Sequence, residues 1–105
     1  MITISVQYFG SLRAAATRAQ EELTLAPDTS LIRLLRQLAA TYDLGFGSEL
    51  FALDDADPTR IDDGKLRGDL MIMLNDKAVA HTAAETTLLR EGDRVALFPL
   101  FPGGG

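Results

Sequence analysis

The sequence predicts an α+β domain in which one main helix is packed across a mixed sheet. Three patterns carry that prediction: an alternating N-terminal segment, one stripe of leucines at helical spacing, and two apolar runs in the last third of the chain. The 105 residues suit a single core, since domains commonly run to ~100–150 residues.

Ile2, Ile4, Val6 and Tyr8 share one parity while Thr3, Ser5 and Gln7 share the other, which describes a strand with one buried face. Gly10-Ser11 breaks the period, and the Ala- and Arg-rich stretch from Leu12 to Ala19 suits a short helical turn. A second strand is expected around Glu22 to Leu25, so the first two strands form a hairpin-like pair with a wide connection. Asp28-Thr29-Ser30 offers N-cap oxygens directly before Leu31, Leu34, Leu35 and Leu38, which recur on one helical face. Ile32 and Ala39 widen that stripe; Arg33, Arg36 and Gln37 face away. This helix is expected to reach about Tyr42 and to stop before Gly45, which can take a left-handed cap conformation.

From Asp43 to Asp69 the pattern weakens, and the segment reads as an elaboration of the fold. Leu50, Phe51 and Leu53 suit a short edge strand or hydrophobic latch, with the aspartate-rich stretch as a solvated loop. Leu70 to Leu74 is a continuous apolar run, expected to be a strand buried on both sides. Asn75-Asp76 fits a tight turn needing positive φ, and Lys77-Ala78-Val79 returns as the second arm of a hairpin. Arg90 to Asp93 makes another turn before a final strand, Arg94 to Pro99. Strand, strand, helix, weak strand, hairpin and final strand is the β-grasp arrangement.

A net charge of -5, with only Lys65 and Lys77 as lysines, argues against nucleic-acid binding, which rests on clustered basic residues. Without cysteine the chain has no disulfide and no thiol nucleophile. His81 is the only histidine, which excludes a multi-histidine metal site, and it reads as a loop residue. Asp55-Ala56-Asp57 is followed by Pro58-Thr59-Arg60, without the glycine and distant glutamate of a calcium loop, so no metal is expected. The N-terminus has neither a basic n-region nor an apolar run long enough for a membrane, and a cytoplasmic protein is expected.

The chain closes Val95-Ala96-Leu97-Phe98-Pro99-Leu100-Phe101-Pro102-Gly103-Gly104-Gly105. Pro99 and Pro102 should stop the ladder, so residues beyond about Leu100 are expected to leave the sheet. The division is then a domain over residues 1–100 and a flexible glycine tail over 101–105. Gly103 and Gly104 can thread a channel too narrow for any Cβ, presenting the carboxylate of Gly105. Phe98, Pro99, Leu100, Phe101 and Pro102 form the expected docking patch for a partner. A carboxylate becomes a good electrophile once ATP converts it to an acyl-adenylate. A sulfur nucleophile can then displace AMP and leave a terminal thiocarboxylate.

Val6-Gln7-Tyr8-Phe9-Gly10-Ser11-Leu12-Arg13, the helix after Pro27-Asp28-Thr29, the Leu74-Asn75-Asp76-Lys77 turn and Glu91-Gly92-Asp93-Arg94-Val95-Ala96-Leu97-Phe98-Pro99 through the glycines resemble the MoaD/ThiS family of ubiquitin-like sulfur carriers. The nearest branch by these motifs is the molybdopterin synthase small subunit. The resemblance implies a non-catalytic, sulfur-carrying subunit of that complex with no bound cofactor, ATP being used by an E1-like adenylating partner. It also implies a persulfide sulfur donor protein, and a molybdopterin synthase large subunit that receives the tail. Alternatives with the same activated terminus are a ubiquitin-like modifier joined to lysines, or a sulfur carrier for thiamine thiazole or cysteine synthesis. Family members generally finish at Gly-Gly, whereas this chain finishes at Gly103-Gly104-Gly105.

Overall fold

A computed structural model describes residues 1–100. The alternating N-terminal segment forms strand β1, Ile2–Tyr8, with Ile4, Val6 and Tyr8 buried. Gly10 then turns the chain at φ +56, a region that costs a residue without Cβ little, and begins helix α1, Gly10–Ala16. This helix starts and ends earlier than the expected Leu12 to Ala19 turn. Strand β2, Gln20–Leu25, returns antiparallel to β1, with Ile2 opposite Leu25 and Gln7 opposite Gln20.

The main helix α2 spans Leu31–Thr41, and its Ser30 cap accepts the Arg33 amide at 3.3 Å. Leu31, Ile32, Leu34, Leu35 and Leu38 are all buried, each contributing about 1.5–3 kcal/mol over exposure. Gly45 does not end it. The chain leaves helical geometry at Tyr42, and Asp43 caps a further helix α3, Leu44–Leu50, that contains Gly45. Asp43 Oδ1 accepts the Phe46 amide at 3.0 Å. An interior glycine costs a helix about 0.5–1 kcal/mol relative to alanine, less than burial of Phe46 and Leu50 contributes. Phe46 stacks on Tyr42 at 4.3 Å and meets Tyr8 edge-on at 5.5 Å.

Strands β3, Phe51–Leu53, and β4, Ile61–Leu66, pair antiparallel in their own two-stranded sheet. The weak strand therefore does not join the main sheet, and Asp62-Asp63 belongs to a strand rather than a solvated loop. Between them, Asp54 and Asp57 accept the Ala56 and Thr59 amides at 2.8 and 3.1 Å.

Strand β5, Leu70–Leu74, turns through Asn75 and Asp76 at φ +50 and +69 into β6, Lys77–Val79. His81 lies in a short 3-10 turn, and its Nε2 donates to the Leu70 carbonyl at 2.6 Å. Strand β7, Arg94–Pro99, completes a five-stranded sheet in the order β2-β1-β7-β5-β6. It runs parallel to β1 and antiparallel to β5, and the buried faces of these three strands meet the α2 stripe in one core. The expectation that β5 is buried on both sides fails: Leu70 and Ile72 are buried, whereas Met71 is 40% exposed. No helix among the described residues is long and apolar enough to cross a membrane.

Candidate partner interface

The alternation of β7 sends Val95 and Leu97 into the core and Ala96 and Phe98 to the opposite face of the sheet. Register places Phe98 opposite Met71, and Ala96 opposite both Met73 and Gln7. Phe9, just past the end of β1, stacks on Phe98 with ring centres 4.1 Å apart and planes within 10°. Among the described residues no helix covers this side. The result is an apolar strip of Phe9, Phe98 and Met71 that ends at Leu100, itself 51% exposed.

Of the expected docking residues, the structure brings together Phe98, Pro99 and Leu100 at the end of β7; Phe101, Pro102, Gly103, Gly104 and Gly105 lie outside the described residues. Pro99 does not break the ladder. It pairs with Leu70, and the Leu100 amide still donates to the Asp69 carbonyl at 2.8 Å. The Leu97 carbonyl accepts from Phe9 on the β1 side, so alternation turns the Pro99 nitrogen to that side as well. There β1 has already given way to α1, and a Cβ on Gly10 would lie 3.5 Å from the Pro99 ring. The missing N–H of proline falls where the strand has no neighbour to serve.

Phe9 and Met71 complete the strip without having been singled out for docking. Their signal was parity: Phe9 continues the phase of Gln7, and Met71 alternates with two core residues.

On the inner side, Glu21 accepts from both the Tyr8 and Tyr42 hydroxyls and lies 3.4 Å from Arg18. Burial, reinforced by the Glu21 carboxylate, holds both phenols above the ordinary tyrosine range. The network ties the α2–α3 junction to the sheet edge. Hydrogen bonds from Thr59 hold the exposed Asp57 carboxyl below its usual range. Beside the root of the tail, Glu49, Leu53, Lys65, Leu66 and Asp69 line an open groove of about 770 Å³.

The ThiS family matches residues 6–104. Small archaeal modifier protein 3 of Haloferax volcanii is 26% identical over 101 residues, covering 96% of this chain and 98% of that one. The solution structure of small archaeal modifier protein 1 from Methanosarcina acetivorans superposes with a TM-score of 0.73 at 26% identity, over 99% and 98% of the two chains. A Pyrococcus furiosus protein provisionally assigned as molybdopterin converting factor subunit 1 gives a TM-score of 0.69 at 23% identity, over 96% and 100%, a likeness of fold. With the β-grasp sheet in place and the family pattern running from β1 into the glycines, the chain belongs to the ThiS family of ubiquitin-like proteins.

Proposed function

We propose that this protein is a sulfur carrier whose terminal Gly105 carboxylate is adenylated and converted to a thiocarboxylate for molybdopterin synthesis, as the small subunit of molybdopterin synthase. The observation that carries the reading is continuity: an uncovered apolar strip ends on the same strand that leads into Gly103-Gly104-Gly105. A partner gripping Phe9, Met71 and Phe98 holds the strand that the last residues follow in sequence. The carboxylate oxygen attacks the α-phosphorus of ATP and pyrophosphate leaves. A persulfide sulfur displaces AMP, and a thiol then cleaves the resulting acyl disulfide, releasing the thiocarboxylate. All sulfur groups but the last belong to partners, because this chain has no cysteine.

Incubation with ATP, an E1-like adenylating enzyme and a persulfide donor should raise the intact mass by the difference between sulfur and oxygen. An unchanged mass with an enzyme active on another carrier would sink the proposal. The same spectrum identifies the reacting glycine, since trimming of Gly105 subtracts one glycine residue.

A second reading is a protein modifier, favoured by the small archaeal modifier proteins among the relatives. An amine of a target lysine then replaces the sulfur nucleophile and forms an isopeptide bond. Conjugates of high molecular weight that vanish when Gly104 and Gly105 are deleted support it; cells making the intact chain without such conjugates speak against it.

A further inference from the structure

The root of the tail is held by a network separate from the apolar strip. The Asp69 carbonyl accepts the Leu100 amide, and the Asp69 carboxylate takes two hydrogen bonds from the Arg67 guanidinium, at 3.0 and 2.7 Å. Arg67 reaches further: its Nη1 donates to the Ser48 carbonyl at 3.3 Å and its amide to the Leu50 carbonyl at 2.9 Å, while its own carbonyl accepts the Leu70 amide. One residue thus ties α3, through its side chain and amide, and the start of β5, through its carbonyl, to the loop that holds Leu100.

Burial sets this pair apart. The side chains of Arg67 and Asp69 are 19% and 16% exposed, and no other ion pair among the described residues has both partners below a fifth. Two parallel hydrogen bonds fix orientation as well as distance, which a single contact cannot. With only Gly68 between the paired residues, the loop is closed tightly and its last carbonyl is aimed.

We propose that Arg67 and Asp69 are positioning residues for the tail: their pairing aims the Asp69 carbonyl at Leu100 and fixes where, and in which direction, the chain leaves the sheet at Leu100 when it meets the activating partner. The inference rests on the reading of Gly105 as the activated terminus. Pro99 has no N–H, so releasing Leu100 frees the strand end back to Phe98. A partner must then order the freed residues itself, and each costs roughly five- to thirtyfold in association.

The test is Arg67→Gln in the full chain, read in two ways. Amide hydrogen exchange should rise at least tenfold at Leu100 and stay unchanged at Ile72 in the middle of β5. Thiocarboxylate formation should show KM for the carrier up about tenfold with kcat within twofold, by the ordering argument. Arg67→Lys, which keeps the charge without the fork, should restore only part of the loss. Asp69→Asn, which keeps the backbone carbonyl and one acceptor oxygen, should shift both readouts the same way by less. A purely structural role would raise exchange at Leu100 and Ile72 together without separating KM from kcat. Wild-type exchange at Leu100 in Arg67→Gln, or an unchanged KM with Leu100 freed, overturns the inference. If the wild-type chain forms no thiocarboxylate, the sulfur-carrier reading fails, and Leu100 exchange still decides whether this pair holds the tail.

Discussion

On the inner side of β7, Val95 and Leu97 are completely buried beneath the helical layer; on the outer side, Phe98 rests on Phe9 and faces Met71, with no element of the described residues above them. Both sides are apolar, yet only one is closed. Apolar area left open in one contiguous strip marks a contact surface more than a deficit of folding. The same strand can therefore be divided into residues that hold the fold and residues that, on the proposed function, meet a partner.

Neighbouring truncations on β7 test that division most sharply. Leu97→Ala should cost about 2–5 kcal/mol in urea unfolding, because it empties a packed site, whereas Phe98→Ala, at a half-buried ring stacked on Phe9, should cost about 1–2 kcal/mol. Equal losses would break the comparison. Conversely, Phe98→Ala should weaken binding to the adenylating enzyme by about tenfold or more, measured by titration calorimetry, as expected of a central aromatic contact. Unchanged affinity would remove the outer face from the docking site.

A smaller effect is expected inside. Tyr8→Phe should lose about 1 kcal/mol at neutral pH, one hydrogen bond to Glu21. Because the folded state raises the Tyr8 phenol above its unfolded value of about 10, its contribution is complete below about pH 10 and falls as pH rises further. The urea midpoint should therefore decline above that pH in the wild type and less steeply in Tyr8→Phe. Smallest is Arg60→Gln in the β3–β4 ribbon, where an exposed ion pair with Asp54 should be worth under about 0.5 kcal/mol in the same assay.

Period and turn chemistry made β1, β2, α2, the Asn75-Asp76 hairpin and β7 legible, because each uses one apolar face and a residue suited to its end. Helix α3 was hidden by Gly45 and Gly47: its stability comes from Phe46 packing between Tyr8 and Tyr42, a tertiary effect that local propensity does not carry. Strand β4 was hidden because Asp62, Asp63, Gly64 and Lys65 are all exposed, so no alternation marks it. In β5 the error was of a different kind. Five consecutive apolar residues erase the alternation, and Met71 reads as core although its side of the sheet is open. At the site, Phe98 and Leu100 were visible as apolar residues beside prolines, while Arg67 and Asp69 sit in the segment read as elaboration and acquire meaning only through Leu100.

The central place of β7 has a consequence for how the protein comes to be made. The strand latest in sequence sits between β1 and β5, so the sheet has no continuous middle until Arg94 to Pro99 are available. Pairings between the two ends of a chain are slow to form, and a ribosomal product stopped short of Arg94 would hold the main sheet only as two disconnected pairs, β1-β2 and β5-β6. Such a fragment lacks the strand that bears Phe98 as well as the glycines beyond it. Completion of synthesis and closure of the sheet become a single event, and on the proposed function a prematurely ended chain would offer an activating enzyme neither the closed sheet nor the terminus.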